Sequence, residues 1–166
     1  MKQFLRALLL SVCVLVPVCA LAGQDSPQVV RYVVDGDTLI LENNEWVRLI
    51  GIDTPEIHDD QHRNAAHAAR YGLDARVVDE YVFKARRFLR DAVLGQRVRL
   101  EYDGERFDKF GRTLAYVYRV SDDLFLNAEL TLRGYGFAYT RFPFKYEDQF
   151  RDDQSQARRN HQGLWG

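Results

Sequence analysis

The stretch VRLIGIDTPE places three ionisable side chains where a buried strand would need none. Arg48 interrupts an apolar run, and Asp53 and Glu56 flank a Thr-Pro pair. A guanidinium presents a fixed fork of donors that fits phosphate oxygens, a carboxylate is a ligand for a hard cation, and a glutamate held by a turn can take a proton from water. These are the side-chain types that phosphoryl transfer uses.

Two further charged residues extend this set. Asp37 follows a strand-like run and Gly36, and Arg112 follows the sequence DKFG. Asp37 and Asp53, brought close by neighbouring strands, would give Ca²⁺ or Mg²⁺ two oxygen ligands and leave the rest of the shell to water, a backbone carbonyl or substrate phosphate. The alternative is turn chemistry, because aspartate readily hydrogen-bonds its own backbone at strand ends. That alternative is strongest for Asp35.

The positions of the arginines and of Glu56 leave alternatives open. Long arginines at strand edges are usually solvated, so Arg48 and Arg112 indicate phosphate chemistry only if they converge beside a metal. Arg48 and Asp53 differ in strand parity and should face opposite sides of a straight strand. Gly51 between them is therefore predicted to mark a bulge or bend that reconciles the two. Pro55 stiffens the turn before Glu56, which is either a general base or a plain surface acid.

The elements that must position these residues are mainly strands. Apolar, β-branched and aromatic runs predict five strands, separated in part by the hairpin signals Asp35-Gly36-Asp37 and 42–45. Helical spacing of apolar residues predicts one helix after the third strand, ending at Gly95, and two more near 127–133 and 146–160. This order predicts an α+β, mainly β fold: a five-stranded OB-fold β-barrel with three α-helices. The predicted strands are 29–34, 38–41, 46–52, 97–102 and 113–118.

The segment from Ile57 to Tyr71 is polar and weakly periodic, which predicts a long surface loop with room for some helix. His58, His62 and His67 lie in it and raise the question of a transition-metal site. Only His58 and His62 have the i, i+4 spacing of a helical ligand pair, and no cysteine supports them. A solvated loop is the favoured interpretation.

The first 22 residues differ in composition from the rest. Lys2 and Arg6 precede an apolar run that ends in Ala20-Leu21-Ala22, which predicts a signal peptide over residues 1–22, cleavage after Ala22, and export to the periplasm or the exterior. An uncleaved anchor and a lipid anchor at Cys19 are weaker alternatives, and after cleavage no stable membrane insertion is expected. The remaining 23–166 segment is predicted to be one domain, without cysteine and with a net charge of −3 from 21 basic and 24 acidic residues. Any nucleic-acid binding must then come from a local basic patch.

Five motifs carry a resemblance to a known family: VVDGDTLIL, VRLIGIDTPE, DKFGRTLAYVY, LNAELTLRGYGFA and QARRNHQGLWG. Their order and spacing resemble the staphylococcal nuclease (thermonuclease) family over roughly Val29 to Trp165. The resemblance implies a Ca²⁺-dependent phosphodiesterase with a barrel and three helices. Its implied substrates are single- and double-stranded DNA and RNA, and its implied products carry 3′-phosphate ends.

The resemblance also assigns roles to the charged residues. Asp37 and Asp53 match the family's calcium carboxylates, and Thr54 would add its backbone carbonyl. Arg48 and Arg112 match the phosphate-binding arginines, and Glu56 takes the place of the proposed general base.

Around the nucleotide pocket the match is looser. Lys109 matches a lysine that contacts a substrate phosphate, but Phe110, Phe142 and Phe144 stand where the family's reference member has tyrosines. Ring stacking is therefore expected to persist without three hydroxyl groups. A catalytically inactive nucleic-acid-binding module is the second hypothesis, and a monomer is the default.

Overall fold

The computed structural model describes residues 26–57 and 62–166. The predicted signal peptide over residues 1–22 and the ligand candidate His58 lie outside the described residues. Within the described part of the chain, no helix is long and apolar enough to cross a membrane.

The described residues form the strands β1 (Gln28–Val33), β2 (Thr38–Leu41), β3 (Trp46–Leu49), β4 (Ile52–Asp53), β5 (Arg97–Glu101), β6 (Thr113–Arg119), β7 (Leu124–Phe125) and β8 (Phe137–Ala138). Five of them, β1, β2, β3, β5 and β6, form a closed barrel. β1 and β2, then β2 and β3, pair antiparallel through the two predicted hairpins; β1 also pairs with β5, and β5 with β6. Parallel pairing of β3 with β6, in which Arg48 lies opposite Leu114, closes the barrel. The predicted five-stranded barrel is confirmed.

The described residues form four α-helices, one more than predicted. They are α1 (Arg63–Tyr71), α2 (Ala75–Val93), α3 (Leu126–Leu132) and α4 (Glu147–Arg159), followed by a 3-10 turn at Gly163–Trp165. The additional helix, α1, lies in the segment predicted as a surface loop. It ends at Gly72, whose φ of 66° is the left-handed conformation that glycine adopts without strain.

α1 is a helix because one of its faces is covered. Asn64, His67, Ala68 and Tyr71 recur at i, i+3, i+4 and i+7, and Asn64 and Ala68 are buried. Ala68 and Tyr71 pack in a second apolar cluster, away from the barrel interior, that includes Phe137. Tertiary packing stabilises a nine-residue helix that would be marginal alone.

The barrel interior is apolar and follows strand alternation. Val47 and Leu49 of β3 point inward and are 0% and 1% exposed, and Arg48 between them points out of the core. Each fully buried Val or Leu contributes about 1.5–3 kcal/mol relative to an exposed one. The barrel therefore holds Arg48 on a rigid strand.

A sharp turn at Gly51 separates β3 from β4. Gly51 has φ of +75°, and a Cβ on it would lie 2.6 Å from the Phe144 ring and 2.9 Å from the Phe150 ring. Only glycine fits both this conformation and this space. The turn restarts the strand alternation, so Asp53 of β4 faces the side on which Arg48 lies. The bend predicted at Gly51 is confirmed.

Candidate active site

Asp37 is a fully buried carboxylate with both oxygens engaged. Its Oδ2 accepts hydrogen bonds from the backbone N–H and the hydroxyl of Thr54 at 3.0 and 3.1 Å. Its Oδ1 accepts from the Thr38 hydroxyl at 3.0 Å and from Arg48. Asp35 supports this position, since its side chain accepts a hydrogen bond from the Asp37 backbone at 3.1 Å, as the turn interpretation predicts.

The Arg48 guanidinium bridges the two predicted metal carboxylates. Nη1 donates to Asp37 Oδ1, and Nη2 donates to Asp53 Oδ1 at 3.1 Å and to the Ile52 carbonyl at 3.2 Å. Burial disfavours the charge on Arg48, but the Asp37 and Asp53 carboxylates outweigh it and hold its pKa above the ordinary value. The structure therefore brings together three side chains that lie on or directly beside three successive strands of the chain, β2, β3 and β4.

Glu56 is fixed just beyond Asp53 and Pro55. Asn64 of α1 clamps its backbone: the Glu56 N–H donates to Asn64 Oδ1 at 2.8 Å, and Asn64 Nδ2 donates to the Glu56 carbonyl at 3.1 Å. Its carboxylate pairs with Arg63 at 2.6 Å. Burial raises the pKa of Glu56 and the Asp37 charge adds to it, against the opposing effect of Arg63. A raised glutamate pKa suits a proton acceptor near neutral pH.

Arg112 reaches the same centre from the turn before β6. Asp108 shapes that turn, because its Oδ1 accepts from the Phe110 and Arg112 backbone N–H groups at 2.9 and 3.0 Å. Asp108 Oδ2 also holds Arg112 Nε at 2.7 Å, and Nη1 of Arg112 lies 3.4 Å from the Thr38 hydroxyl that bonds Asp37. Arg48 and Arg112 thus lie on either side of the Thr38–Asp37 contact.

The aromatic residues at the predicted nucleotide pocket occupy different environments. Phe110 is 73% exposed, with Lys109 Nζ 4.9 Å from its ring centroid. Phe142 is 63% exposed, and its ring centroid lies 6.2 Å from that of Tyr139. Phe144 is half-buried against the core and lies 5.4 Å from the Phe150 ring. Phe110 and Phe142 present open ring faces for a base, while Phe144 supports the Gly51 turn.

His67 was weighed as a metal ligand in the sequence analysis, but its contact with Asp53 was not predicted. The predicted solvated loop is wrong for this side chain, which is only 13% exposed and has Nε2 3.1 Å from Asp53 Oδ2. Among the described residues, Asp53 is the close polar partner of this buried Nε2 atom, and the two are in electrostatic contact. Burial alone would raise the pKa of Asp53, but His67 and Arg48 outweigh burial and lower it. The i, i+3, i+4, i+7 spacing of α1 was the signal available in the sequence.

The donor set fits a hard cation. One guanidinium spans both Asp37 and Asp53, so the two carboxylates lie on the same side of the barrel, next to Thr54. Oxygen ligands of this kind suit Ca²⁺ or Mg²⁺. Within residues 26–57 and 62–166, no group of three or more His, Cys, Asp or Glu is arranged as a metal site. Two carboxylates would leave most of a cation's shell to other oxygens.

Comparison with known proteins identifies the family. A family model described as staphylococcal nuclease homologue matches residues 46–166. The chain belongs to the staphylococcal nuclease family. A thermonuclease of Staphylococcus intermedius is 36% identical over 140 residues, covering 82% of this chain and 74% of that protein. A thermonuclease of Staphylococcus hyicus is 32% identical over 148 residues, covering 87% and 78%, respectively.

This staphylococcal nuclease family chain is also similar to a protein outside the staphylococci. An uncharacterized protein of Methanocaldococcus jannaschii is 34% identical over 146 residues, covering 80% of this chain and 68% of that protein. Family membership, together with the barrel, gives the coarse activity: a nuclease that hydrolyses phosphodiester bonds in nucleic acid.

Proposed function

We propose that this family member is a Ca²⁺-dependent endonuclease that hydrolyses single- and double-stranded DNA and RNA and leaves 3′-phosphate ends. The observation that carries the proposal is the bridge from Arg48 to both Asp37 and Asp53. It gathers a phosphate-binding donor and two hard-cation ligands at one point, beside Glu56 and Arg112.

In the proposed reaction, a water molecule attacks the phosphorus in line with the leaving 5′ oxygen. Glu56 accepts the proton of the attacking water, and the P–O5′ bond breaks to give a 3′-phosphate. The leaving 5′ oxygen takes a proton from solvent water and becomes the 5′-hydroxyl. Arg48 and Arg112 donate to the equatorial oxygens, which gain charge in the transition state. Asp108 and Asn64 hold Arg112 and Glu56, respectively, before substrate arrives, so little reorganisation is needed.

Asp37, Asp53 and the Thr54 carbonyl would hold the calcium ion. A bound Ca²⁺ would supply positive charge to the phosphate and a template for its orientation. The backbone N–H and hydroxyl of Thr54 fix Asp37, and Arg48 and His67 contact Asp53. The carboxylates are therefore held in place by this chain's own residues.

Substrate binding would use the exposed aromatic rings beside the basic residues. Phe110 and Phe142 offer stacking faces that accept any base, and Lys109 provides a cation close to Phe110. No strong overall positive charge attracts the polyanion, since the chain has 23 basic and 24 acidic residues. The affinity should therefore depend on these few contacts, and its fall with salt should be shallow because few phosphates are neutralised.

Residues 1–22 support a proposal about where the enzyme works. Two basic residues, an apolar run and a small-x-small end are typical of a signal peptide. The enzyme is exported to the periplasm or the exterior, and the segment from Gly23 onward has no cysteine that would mispair in an oxidising compartment.

The test is nucleotide release from single-stranded DNA by the purified protein, with Ca²⁺, with Mg²⁺ in its place, and with the cation chelated, while fluorescence anisotropy follows DNA binding. Release that requires Ca²⁺, with products that a phosphatase can dephosphorylate at the 3′ end, supports the proposal. Release with Mg²⁺ but not Ca²⁺ contradicts the ion assignment. DNA binding without release under any of these conditions would replace the proposal with that of a binding module.

A further inference from the structure

The helix α1 contacts both of the acids that the proposed reaction uses. Asn64 forms two hydrogen bonds to the Glu56 backbone, at 2.8 and 3.1 Å, and is itself 6% exposed. One turn later, His67 Nε2 lies 3.1 Å from Asp53 Oδ2. Residues three apart lie on the same face of a helix, so one face of α1 meets the base and a metal carboxylate together.

The packing under His67 explains why it meets Asp53. Asp53 of β4 lies directly opposite Phe137 of β8 in the ladder, and side chains of opposite residues share one face of an antiparallel pair. The His67 ring stacks on Phe137 with centroids 4.6 Å apart, and Tyr71 stacks on the same ring, also at 4.6 Å. Phe137 therefore serves as a platform that presents Nε2 of His67 to the carboxylate.

The contacts made by Asn64 have a different consequence. A side-chain amide that both accepts from and donates to one residue's backbone fixes the position and the rotation of that residue. Glu56 follows Pro55 at the end of β4, where no strand partner holds it among the described residues. The Asn64 clamp takes the place of such a partner.

We propose that α1 is a positioning helix for the nuclease centre, in which Asn64 fixes Glu56 and His67 holds the Asp53 carboxylate. The proposal rests on the proposed function of Glu56 and Asp53, and adds two residues that act through them. Neither Asn64 nor His67 touches substrate in this assignment.

Two helical contacts on two different acids give two separable effects. Loss of the His67 contact leaves the Asp53 carboxylate held by Arg48 through Oδ1 alone, which loosens Oδ2 and weakens the Ca²⁺ site. Loss of Asn64 displaces the base and leaves the cation ligands alone. Partners that orient ligating carboxylates are each worth about 10–100-fold in metal affinity or activity. Misplacing a catalytic group by about 1 Å costs about 100-fold in rate. A merely structural role would instead reduce both properties together.

The experiment compares His67→Phe, His67→Gln, Asn64→Ala and the control His62→Asn. Phenylalanine keeps the ring on Phe137 without the nitrogen, and glutamine keeps an N–H donor without the ring. His62 is exposed, precedes α1 and has φ of 54°, a conformation that asparagine tolerates. For each protein, calorimetry gives the Ca²⁺ Kd without substrate, and kcat and KM follow on single-stranded DNA at saturating Ca²⁺.

Two opposite patterns are expected. His67→Phe should raise the Ca²⁺ Kd about 10–100-fold with an unchanged melting temperature, and His67→Gln should recover much of that loss. Asn64→Ala should lower kcat about 10–100-fold with an unchanged Ca²⁺ Kd. His62→Asn should match the original protein in every measurement.

Hydrogen exchange at the Glu56 amide adds a readout that is independent of activity and metal. Asn64→Ala should raise the exchange rate of that amide, and the His67 variants should leave it unchanged. An unchanged Ca²⁺ Kd in His67→Phe, or an unchanged kcat and Glu56 exchange rate in Asn64→Ala, overturns the proposal. If the original protein neither binds Ca²⁺ nor cleaves DNA, the proposed function fails, and the exchange rate still decides whether Asn64 holds Glu56.

Discussion

Arg48 and Asp53 differ in strand parity, yet Nη2 of Arg48 lies 3.1 Å from Oδ1 of Asp53. An unbroken strand would direct these side chains to opposite faces. The positive φ of Gly51 ends β3 and restarts the alternation in β4, so the arginine and the carboxylate meet. The centre therefore depends on a glycine that carries no chemistry itself.

Substitution of Gly51 by alanine should destabilise the protein and disable the site. The left-handed conformation costs a non-glycine residue about 1–2 kcal/mol, and overpacking adds about 1–3 kcal/mol. The new Cβ would clash with the Phe144 and Phe150 rings at 2.6 and 2.9 Å. Urea denaturation measures the loss of free energy of unfolding.

Gly95→Ala is the matched control for this change. Gly95 has φ of +71°, close to that of Gly51, but no atom of the described residues lies within 4 Å of the position its Cβ would take. Gly95→Ala should lower the free energy of unfolding only by the cost of the left-handed conformation, about 1–2 kcal/mol. Equal losses at the two positions would show that crowding by Phe144 and Phe150 has no effect.

Glu56→Gln should lower kcat by about 10²–10⁴-fold, because the amide cannot accept the proton of the attacking water. The Asn64 clamp contacts only the backbone of residue 56, so the turn and DNA binding should persist. Stopped-flow kinetics at saturating substrate and fluorescence anisotropy measure turnover and binding. Glu42→Gln, an exposed residue in the β2–β3 turn, is the control. Full turnover in Glu56→Gln would remove Glu56 from the role of base.

Arg112→Lys should lower kcat by about 10²–10³-fold, as expected for the loss of a transition-state donor. Lysine carries the charge, but its single ammonium cannot bond Asp108 through one atom and reach toward Thr38 with another, as Nε and Nη1 of Arg112 do. Steady-state kinetics on a defined oligonucleotide give kcat and KM. Arg99→Lys, at a surface ion pair with Asp123, should leave both constants unchanged. Unaltered kcat in Arg112→Lys would mean that charge alone suffices at this position.

The three phenylalanines of the predicted pocket should separate into two classes. Phe110→Ala and Phe142→Ala should weaken binding to single-stranded DNA by about 1–3 kcal/mol each, because each removes an exposed stacking face. Both variants should keep the free energy of unfolding. Phe144→Ala should lower that free energy by up to about 3 kcal/mol, because its half-buried ring packs on Phe150 and Gly51. Anisotropy titration measures DNA binding, and urea denaturation measures the free energy of unfolding. If all three variants changed the same property by the same amount, the separation of Phe144 from Phe110 and Phe142 would be wrong.

Strand periodicity predicted the barrel correctly, because Val47 and Leu49 alternate with Arg48 as a half-buried strand requires. The convergence of Arg48 and Asp53 was predictable from Gly51. α1 was not predicted as a helix, because two of the residues on its inner face, Asn64 and His67, are polar and conceal the apolar periodicity. When polar residues on the buried face of a helix contact a functional site, that face no longer shows the apolar periodicity by which a helix is predicted.

The contact of His67 with Asp53 depends on the pairing of β4 with β8, which no local sequence pattern indicates. β4 and β8 are two residues long and lie more than eighty positions apart in the chain. Strands this short have no periodicity to detect. The ladder that sets Phe137 opposite Asp53, and with it the His67 ring, is visible only once the tertiary structure is known.

Asp103 should make stability depend on pH through the loop that holds Phe142 and Phe144. Its Oδ2 accepts from the Tyr116 hydroxyl at 2.6 Å and from the Lys145 backbone N–H at 2.7 Å, which ties the Phe142–Phe144 loop to β6. These two hydrogen bonds lower the pKa of Asp103 below its ordinary value of 3.8. A carboxyl with a lowered folded-state pKa stabilises the protein above its unfolded-state pKa, and that contribution is lost as pH falls through the folded-state value.

Urea denaturation of the original protein and of Asp103→Asn, at a series of pH values, measures this contribution. The difference in free energy of unfolding between the two proteins should be constant from about pH 7 to about pH 5 and should shrink below about pH 4. Tyr116→Phe removes the hydroxyl donor and should move the folded-state pKa of Asp103 back toward 3.8. The free energy of unfolding that Tyr116→Phe loses relative to the original protein should therefore also become smaller in acid. A difference between the original protein and Asp103→Asn that stays constant through acid pH would show that the Asp103 charge does not stabilise the fold.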